Sequence, residues 1–237
     1  MTLNSIKNLL CYGALSVLTG GFSVNAAKAE VPLPQPSVGT VQRLENLPSA
    51  FIAPRLVDVW LPPGYSDQRK YAVVYMHDGQ MLFDSAITWN KMEWRADEVA
   101  AALMAEAKVR PFIIVGVHNG GSNRSAEYFP QKPFESLPAG KQAELLAMDR
   151  SANARLFAGK VNSDAYLRYL VKELKPYIDA HYSVHTDPDN TVVMGSSMGG
   201  LISLYAISEY PEVFGSAACL STHWPGKFTM DDNPIPE

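Results

Sequence analysis

Four short apolar runs recur along the chain, each bounded by turn-forming residues. They are YAVVYMHDG (71–79), PFIIVGVHNGG (111–121), TVVMG (191–195) and SAACLST (216–222). Continuous apolar runs of this length are typical of strands that are buried on both faces of a parallel sheet. A fifth run, RLVDVWLPPGY (55–65), alternates in part before Pro62-Pro63-Gly64, which predicts a strand followed by a turn.

Two segments between these runs have the composition and spacing of helices. RADEVAAALMAEA (95–107) is rich in strong helix formers. SDAYLRYLVKELKPYIDAHY (163–182) has one apolar face, and we expect Ser163 to cap this helix and Pro176 to kink or end it. Residues 122–160 predict a partly helical insertion above the sheet. Strands that alternate with helices predict an α/β fold whose sheet is covered on both faces.

Two serines lie between glycines where a predicted strand meets a predicted helix, in VVMGSSMGGLISLYA (192–206). The pattern G-x-S-x-G is centred on Ser197, with Gly195 and Gly199 at the flanks. A nucleophile on a sharp turn between strand and helix needs glycines two residues before and after it, because side chains there would collide. Ser196 lacks a glycine two residues before it. The pattern therefore predicts that Ser197 is a nucleophile.

A serine nucleophile needs a base and prearranged N–H donors for the oxyanion that forms on attack. The amide of Met198, at the start of the helix, is one natural donor. The loop in MHDGQMLFD (76–84) follows a neighbouring strand, and Gly79 would let its backbone turn an amide inward. We predict that the Gln80 N–H is the second donor. A simple Asp-Gly turn without a catalytic role is the alternative.

The overall composition is that of a soluble globular protein, with 47% hydrophobic and 19% charged residues in a chain of 237. A formal net charge of −4 gives no electrostatic reason to expect a nucleic-acid partner. The cysteines and histidines do not have metal-ligand spacing, so we predict neither a metal site nor a cofactor.

The N-terminus has the layout of a secretory signal peptide, which we assign to residues 1–29. Lys7 precedes the apolar core LLCYGALSVL, and Ala27-Lys28-Ala29 forms a small-residue cleavage pattern. We expect cleavage after Ala29, a periplasmic or secreted product, and no stable membrane insertion after cleavage; an uncleaved anchor is the alternative. Residues 30–48 read as an extended, proline-containing lead-in. Cleavage would leave Cys219 alone, so we expect no intrachain disulfide.

Three motifs together resemble the esterase family of α/β-hydrolases. They are YMHDGQMLFD, GVHNGGSNRSAEYFP and VVMGSSMGGLISLY. The family is similar across enterochelin-type siderophore esterases, feruloyl and acetyl-xylan esterases, S-formylglutathione hydrolases and mycolyltransferases. The resemblance implies a three-layer sandwich with a mostly parallel sheet over residues 49–237, Ser197 as nucleophile, and Met198 and Gln80 as oxyanion donors. Many members carry Asn where this chain has Met81, next to the oxyanion loop.

Several polar and aromatic residues lie where predicted strands end, and we predict that they line the substrate site: His77, Asp78, His223 and Trp224. Ligands bind at this rim in open α/β sheets. A further group in NRSAEYFP is expected to shape the pocket floor or to fix the loop by an ion pair: Arg124, Glu127 and Tyr128.

The family's triad continues, in chain order, from serine to an acidic residue and then to histidine. His223 is the only histidine after Ser197 in this sequence, and the resemblance makes it a residue that lines the pocket instead of the base. We therefore expect the chain to be incomplete at its C-terminus, without the last strands and helix and without the acidic residue and the histidine of the triad.

Three functions fit these residues. The first is an exported serine carboxylic-ester hydrolase that forms an acyl-enzyme on Ser197, with a small-molecule, carbohydrate or siderophore ester as substrate. The second is a degenerate binding protein that has kept the elbow and lost turnover. The third is an acyltransferase of the same family, which passes the acyl group to an alcohol.

Overall fold

A six-stranded sheet forms the centre of the part of the chain that the structure describes. This computed structural model describes residues 31–45, 47–151 and 154–224, so the predicted signal peptide lies outside the described residues. The strands are β1 (Thr40–Leu44), β2 (Val57–Leu61), β3 (Ala72–His77), β4 (Phe112–Val117), β5 (Asp149–Ser151), β6 (Ala154–Arg155), β7 (Thr191–Ser196) and β8 (Ser216–Leu220). The sheet order is β1-β2-β4-β3-β7-β8, and β5 and β6 form a separate hairpin.

The sheet is mostly parallel, as predicted. Strands β4, β3, β7 and β8 run parallel to one another, whereas β1 and β2 join antiparallel at one side. Met76 of β3 lies opposite Gly116 of β4 on one side and Met194 of β7 on the other. The carboxyl ends of the four parallel strands therefore meet at one edge, and the motifs that follow β3, β4 and β7 are brought together there.

Helices cover both faces of the sheet, which confirms the predicted layering. The helices are α1 (Ala96–Ala105), α2 (Arg124–Tyr128), α3 (Gln131–Glu135), α4 (Ala139–Ala147), α5 (Ser163–Tyr169), α6 (Lys175–His181) and α7 (Met198–Glu209). On one face Ala100 of α1 packs with Met76 and Ile114, and on the other Leu170 and Ile202 join the larger core. The described helices include none that is long and apolar enough to cross a membrane.

The helix predicted over residues 163–182 is interrupted. A wider, π-helical turn at Leu170–Leu174 separates α5 from α6 just before Pro176, which has no N–H to continue the regular ladder. The prediction that Ser163 caps the helix is wrong. Asn162 precedes the first helical residue, and the Ser163 hydroxyl instead accepts a hydrogen bond from the Gln131 N–H at 2.9 Å.

The lead-in at residues 30–48 contains a strand that the sequence did not predict. Strand β1 pairs with β2, and Arg43 forms a buried ion pair with Asp58 at 2.7 Å. The indole N–H of Trp60 donates to the Val38 carbonyl at 2.7 Å. TVQRL has little apolar periodicity, because this strand lies at the edge of the sheet and much of it stays accessible to solvent.

Candidate active site

Ser197 occupies a strained turn between β7 and α7. Its backbone has φ 57° and ψ −123°, an unfavourable conformation for a residue with a side chain. The turn is held by two backbone hydrogen bonds, from the Ser197 N–H to the Leu220 carbonyl at 3.0 Å and from the Gly200 N–H to the Ser197 carbonyl at 3.0 Å. A Cβ on Gly195 would lie 2.5 Å from the backbone of Gly199. Gly195 thus has the steric cause that the sequence predicted, whereas a Cβ on Gly199 would come no closer than 3.4 Å to another group.

A second strained turn follows β3. Asp78 has φ 59° and ψ 44°, in the left-handed region, and leads into a single 3-10 turn at Gly79–Met81. The Met81 N–H donates to the Asp78 carbonyl at 2.9 Å. A Cβ on Gly79 would lie 2.3 Å from the backbone carbon of Gly116 in β4. The turn is therefore pressed against the neighbouring strand, and its glycine cannot carry a side chain.

The two turns lie side by side at the carboxyl edge of the sheet. A Cβ on Gly199 would be 3.4 Å from the Asp78 carboxylate and 3.5 Å from the Cβ of His77. Met198 is the first residue of α7 and Gln80 lies in the 3-10 turn, and amides in the first turn of a helix have no acceptor within that helix. The structure therefore brings the two predicted oxyanion donors to adjacent turns, while their role stays a prediction.

The Asp78 carboxylate is enclosed by an ion pair. Arg124 donates to both of its oxygens at 2.7 Å, and the Asn119 amide donates at 2.7 Å. Burial alone would raise the pKa of Asp78, but the hydrogen bonds and charge of Arg124 hold that pKa below its ordinary value. These contacts confirm the expected ion pair in this loop. They use the carboxylate within the protein, and its predicted contact with a substrate stays a prediction.

His77 is packed into the interior, with 1% of its surface exposed. Its Nδ1 lies 2.8 Å from the hydroxyl of Tyr166, and its ring contacts the rings of Tyr128 and Tyr166. Burial lowers the pKa of His77 to about 4, although the neighbouring Asp78 charge acts in the opposite direction. His77 is therefore neutral at neutral pH, and its predicted contact with a substrate stays a prediction.

His223 and Trp224 follow β8 and lie beside the elbow. The His223 N–H donates to the Ser197 carbonyl at 3.2 Å. Trp224 is 51% exposed and lines a groove of about 600 Å³ together with Phe129 and Leu201. The groove follows α7 from Leu201, one helical turn after Ser197, to Glu209. Trp224 thus lines a groove, and the predicted substrate contacts of His223 and Trp224 stay predictions.

Asn119 was not among the predicted site residues. It follows β4 by two positions, and its side chain and backbone hold Asp78 and Gln80, respectively. The available sequence signals were its place at the end of a predicted strand and within the motif GVHNGGSNRSAEYFP. His118, beside it, points to another partner, since its Nε2 lies 2.7 Å from the buried Asp58 carboxylate.

Known proteins match most of this chain. The family model described as "Putative esterase" matches residues 50–232. The protein YbbA of Bacillus subtilis (strain 168) is 28% identical over 172 residues, which cover 72% of this chain and 58% of YbbA. An endo-1,4-beta-xylanase/feruloyl esterase of Xylanibacter ruminicola is 24% identical over 188 residues, which cover 77% of this chain and 22% of that protein. The chain thus spans less than two thirds of the length of these relatives.

A solved structure confirms the fold. The IroE-like serine hydrolase from Shewanella oneidensis superposes with a TM-score of 0.57 at 24% identity. The match covers 77% of this chain and 51% of that one. Together with the mostly parallel sheet and its two helical layers, this likeness shows an α/β-hydrolase architecture.

Proposed function

The chain belongs to the esterase family whose model it matches over residues 50–232, and we propose that it is an exported serine carboxylic-ester hydrolase. The observation that carries this proposal is the backbone of Ser197, at φ 57° and ψ −123° between β7 and α7. A serine on a strained turn between strand and helix has its hydroxyl exposed at the edge of the sheet, which is the arrangement of an α/β-hydrolase nucleophile. Ser196 is the last residue of β7 and lacks that backbone.

The proposed reaction begins with attack of the Ser197 hydroxyl oxygen on the ester carbonyl carbon. A base takes the hydroxyl proton, and the negative charge that develops on the carbonyl oxygen is stabilised by the N–H groups of Met198 and Gln80. The ester C–O bond then breaks, and the alcohol leaves with a proton. An acyl group remains on Ser197 until water, activated in the same way, releases it as a carboxylic acid.

The base in this proposal is not one of the two histidines nearest the elbow. His77 is buried with its Nδ1 directed to Tyr166, and a pKa lowered to about 4 makes it a poor proton acceptor. His223 is held through its backbone to Ser197, and the family resemblance assigns it to the pocket lining. We propose that the base is a histidine that the resemblance places later in the family sequence, after an acidic residue.

The proposed substrates are esters of carbohydrates or siderophores. The name of the Xylanibacter ruminicola relative includes feruloyl esterase activity, which supports a carbohydrate ester. The groove lined by Phe129, Leu201 and Trp224 offers apolar and aromatic surface that begins one helical turn after the nucleophile. The signal-peptide pattern at residues 1–29 supports action outside the cytoplasm, where such esters are met.

Hydrolysis of 4-nitrophenyl acetate by a protein that includes the proposed acidic residue and histidine tests the proposal. Ser197→Ala should lower the turnover rate by about 10³-fold or more, because the nucleophile is lost while the fold is kept. Ser196→Ala is the matched control, since it makes the same change one residue earlier, and it should retain most of the activity. Melting temperatures close to that of wild type for both variants would show that the loss in Ser197→Ala does not come from unfolding.

The alternatives give different outcomes in the same assay. Ester binding without turnover that depends on Ser197 would support the degenerate binding protein and refute the hydrolase. Transfer of the acetyl group to an added acceptor sugar, in preference to water, would support the acyltransferase.

A further inference from the structure

The Asp78 carboxylate connects three segments that are distant in sequence. It follows β3, and it accepts hydrogen bonds from Asn119 after β4 and from Arg124 at the start of α2. Arg124 binds both carboxylate oxygens at 2.7 Å, the bidentate geometry in which an arginine restrains a carboxylate most strongly. We call Asp78, Asn119 and Arg124 the Asp78 cluster. It holds a residue whose left-handed backbone sets the direction of the turn that follows.

The loop after β4, which carries Asn119, also holds the Gly79–Met81 turn at Gln80. The Asn119 N–H donates to the side-chain oxygen of Gln80 at 3.2 Å, while the Asn119 side chain donates to Asp78. Gly79 lies between these two attachments and is pressed against Gly116. The backbone of Gln80 is thus restrained before and after its own N–H.

The cluster also controls the charge beside the elbow. One oxygen of Asp78 lies 3.4 Å from the position that a Cβ on Gly199 would occupy, two residues after Ser197. An unpaired carboxylate here would oppose the negative charge that develops on a substrate carbonyl at Ser197, since like charges at short range repel strongly in a partly buried site. The guanidinium of Arg124 neutralises it.

We propose that Arg124 is a positioning residue for the oxyanion hole, because it fixes the Gly79–Met81 turn through Asp78 and cancels the Asp78 charge. This inference rests on the proposed function of Ser197. Arg124 need not touch the substrate in this role. It acts on the direction of the Gln80 N–H and on the field around it.

Arg124→Gln in the full chain tests this role, with Lys175→Gln as the matched control. Lys175 pairs with Asp179 at 2.8 Å with side chains 10% and 22% exposed, against 21% and 10% for Arg124 and Asp78. Lys175 lies in α6, away from the elbow. We expect Arg124→Gln to lower kcat for 4-nitrophenyl acetate by roughly 100-fold with KM changed less than about twofold, since misplacement of a catalytic group slows the chemical step. Lys175→Gln should lower the melting temperature as much as Arg124→Gln does, or more, and should still keep the kcat of wild type.

Two further measurements separate charge from geometry. Adding Asp78→Asn to Arg124→Gln removes the unpaired carboxylate and should recover roughly tenfold of the lost kcat. Hydrogen–deuterium exchange of the amides at residues 79–82 should become faster in Arg124→Gln than in wild type and should stay unchanged in Lys175→Gln. This exchange measurement does not depend on turnover.

The outcomes distinguish this inference from the proposed function. An active wild type whose Arg124→Gln variant keeps its kcat, or loses activity only through a higher KM, would overturn the positioning role alone. A wild type without turnover that depends on Ser197 would overturn the proposed function, and amide exchange at residues 79–82 would then decide whether Arg124 fixes the turn. Unchanged amide exchange at residues 79–82 in Arg124→Gln would then refute the claim that Arg124 fixes the turn.

Discussion

The elbow at Ser197 and the turn at Asp78 both contain a residue with a strained backbone, but different contacts hold the two turns in place. Each places a residue with a side chain at positive φ, 57° and 59°, next to a glycine that is pressed against a neighbouring backbone. The elbow is held by its own backbone hydrogen bonds and by the adjoining strand β8. The turn is held by side chains, above all by the ion pair between Asp78 and Arg124. The elbow is therefore specified mainly by local sequence, and the turn by distant residues.

The largest expected effect comes from giving each turn a methyl group in place of its glycine hydrogen. Gly195→Ala would put a Cβ 2.5 Å from the Gly199 backbone, and Gly79→Ala would put one 2.3 Å from Gly116. Backbone cannot move aside as a side chain can, so we expect each change to cost about 3 kcal/mol in unfolding free energy and to remove most esterase activity. Urea denaturation and turnover of 4-nitrophenyl acetate measure the two effects.

Gly140→Ala is the control for both glycines, because a Cβ there meets nothing within 4 Å. Gly140 lies in α4, where alanine should leave stability unchanged or raise it by at most about 1 kcal/mol. If Gly79→Ala were tolerated and Gly195→Ala were not, crowding at the glycine would not be a common requirement of the two turns.

A medium effect is expected from the buried histidine under the Asp78 turn. The folded-state pKa of His77 is about 4 against 6.5 when unfolded, so the unfolded state binds the proton more readily. The contribution of neutral His77 to the free energy of unfolding is fully present above pH 6.5 and is lost as the pH falls from there toward 4. At pH 5 this residue should account for about 2 kcal/mol of lost unfolding free energy.

Denaturation of His77→Gln at pH 7 and pH 5 checks this value. The variant should lose about 2 kcal/mol less than wild type between the two pH values, because glutamine does not titrate. His181→Gln is the control, since His181 is exposed and stacks on Tyr177. An equal pH dependence in wild type and His77→Gln would show that His77 does not destabilise the turn in acid.

The smallest effect is expected at the far side of the elbow. A Cβ on Gly200 would lie 2.7 Å from the Thr222 hydroxyl, which is the end of a side chain that can rotate away. We expect Gly200→Ala to cost about 1 kcal/mol, clearly less than Gly195→Ala. A loss as large as that of Gly195→Ala would mean that contact with the segment after β8 specifies the elbow as strongly as its own glycines do.

These differences explain what could be predicted from the sequence. Strands β3 and β4 were visible as apolar runs because both their faces are largely buried. The runs of β7 and β8 also predicted strands, but one face of β7 is only partly buried and β8 lies at the edge of the sheet with no fully buried residue. Ser197 was visible because the glycine pattern of the elbow lies within five residues. The partners of Asp78 are 41 and 46 positions away, so the ion pair in that loop could be anticipated but its acidic member could not. Strand β1 could not be predicted from its sequence, because an edge strand needs no regular apolar face. The π-helical turn before Pro176 depends on packing that a single pattern does not reveal.

Intact mass analysis after incubation with 4-nitrophenyl acetate tests the central claim most directly. If Ser197 is the nucleophile, the protein that includes the proposed acidic residue and histidine should gain the mass of one acetyl group, and fragmentation should place it on Ser197 and not on Ser196. Ser197→Ala should gain nothing under the same conditions, and Ser196→Ala should be acetylated like wild type. Acetylation of Ser196, or equal labelling of wild type and Ser197→Ala, would contradict the account.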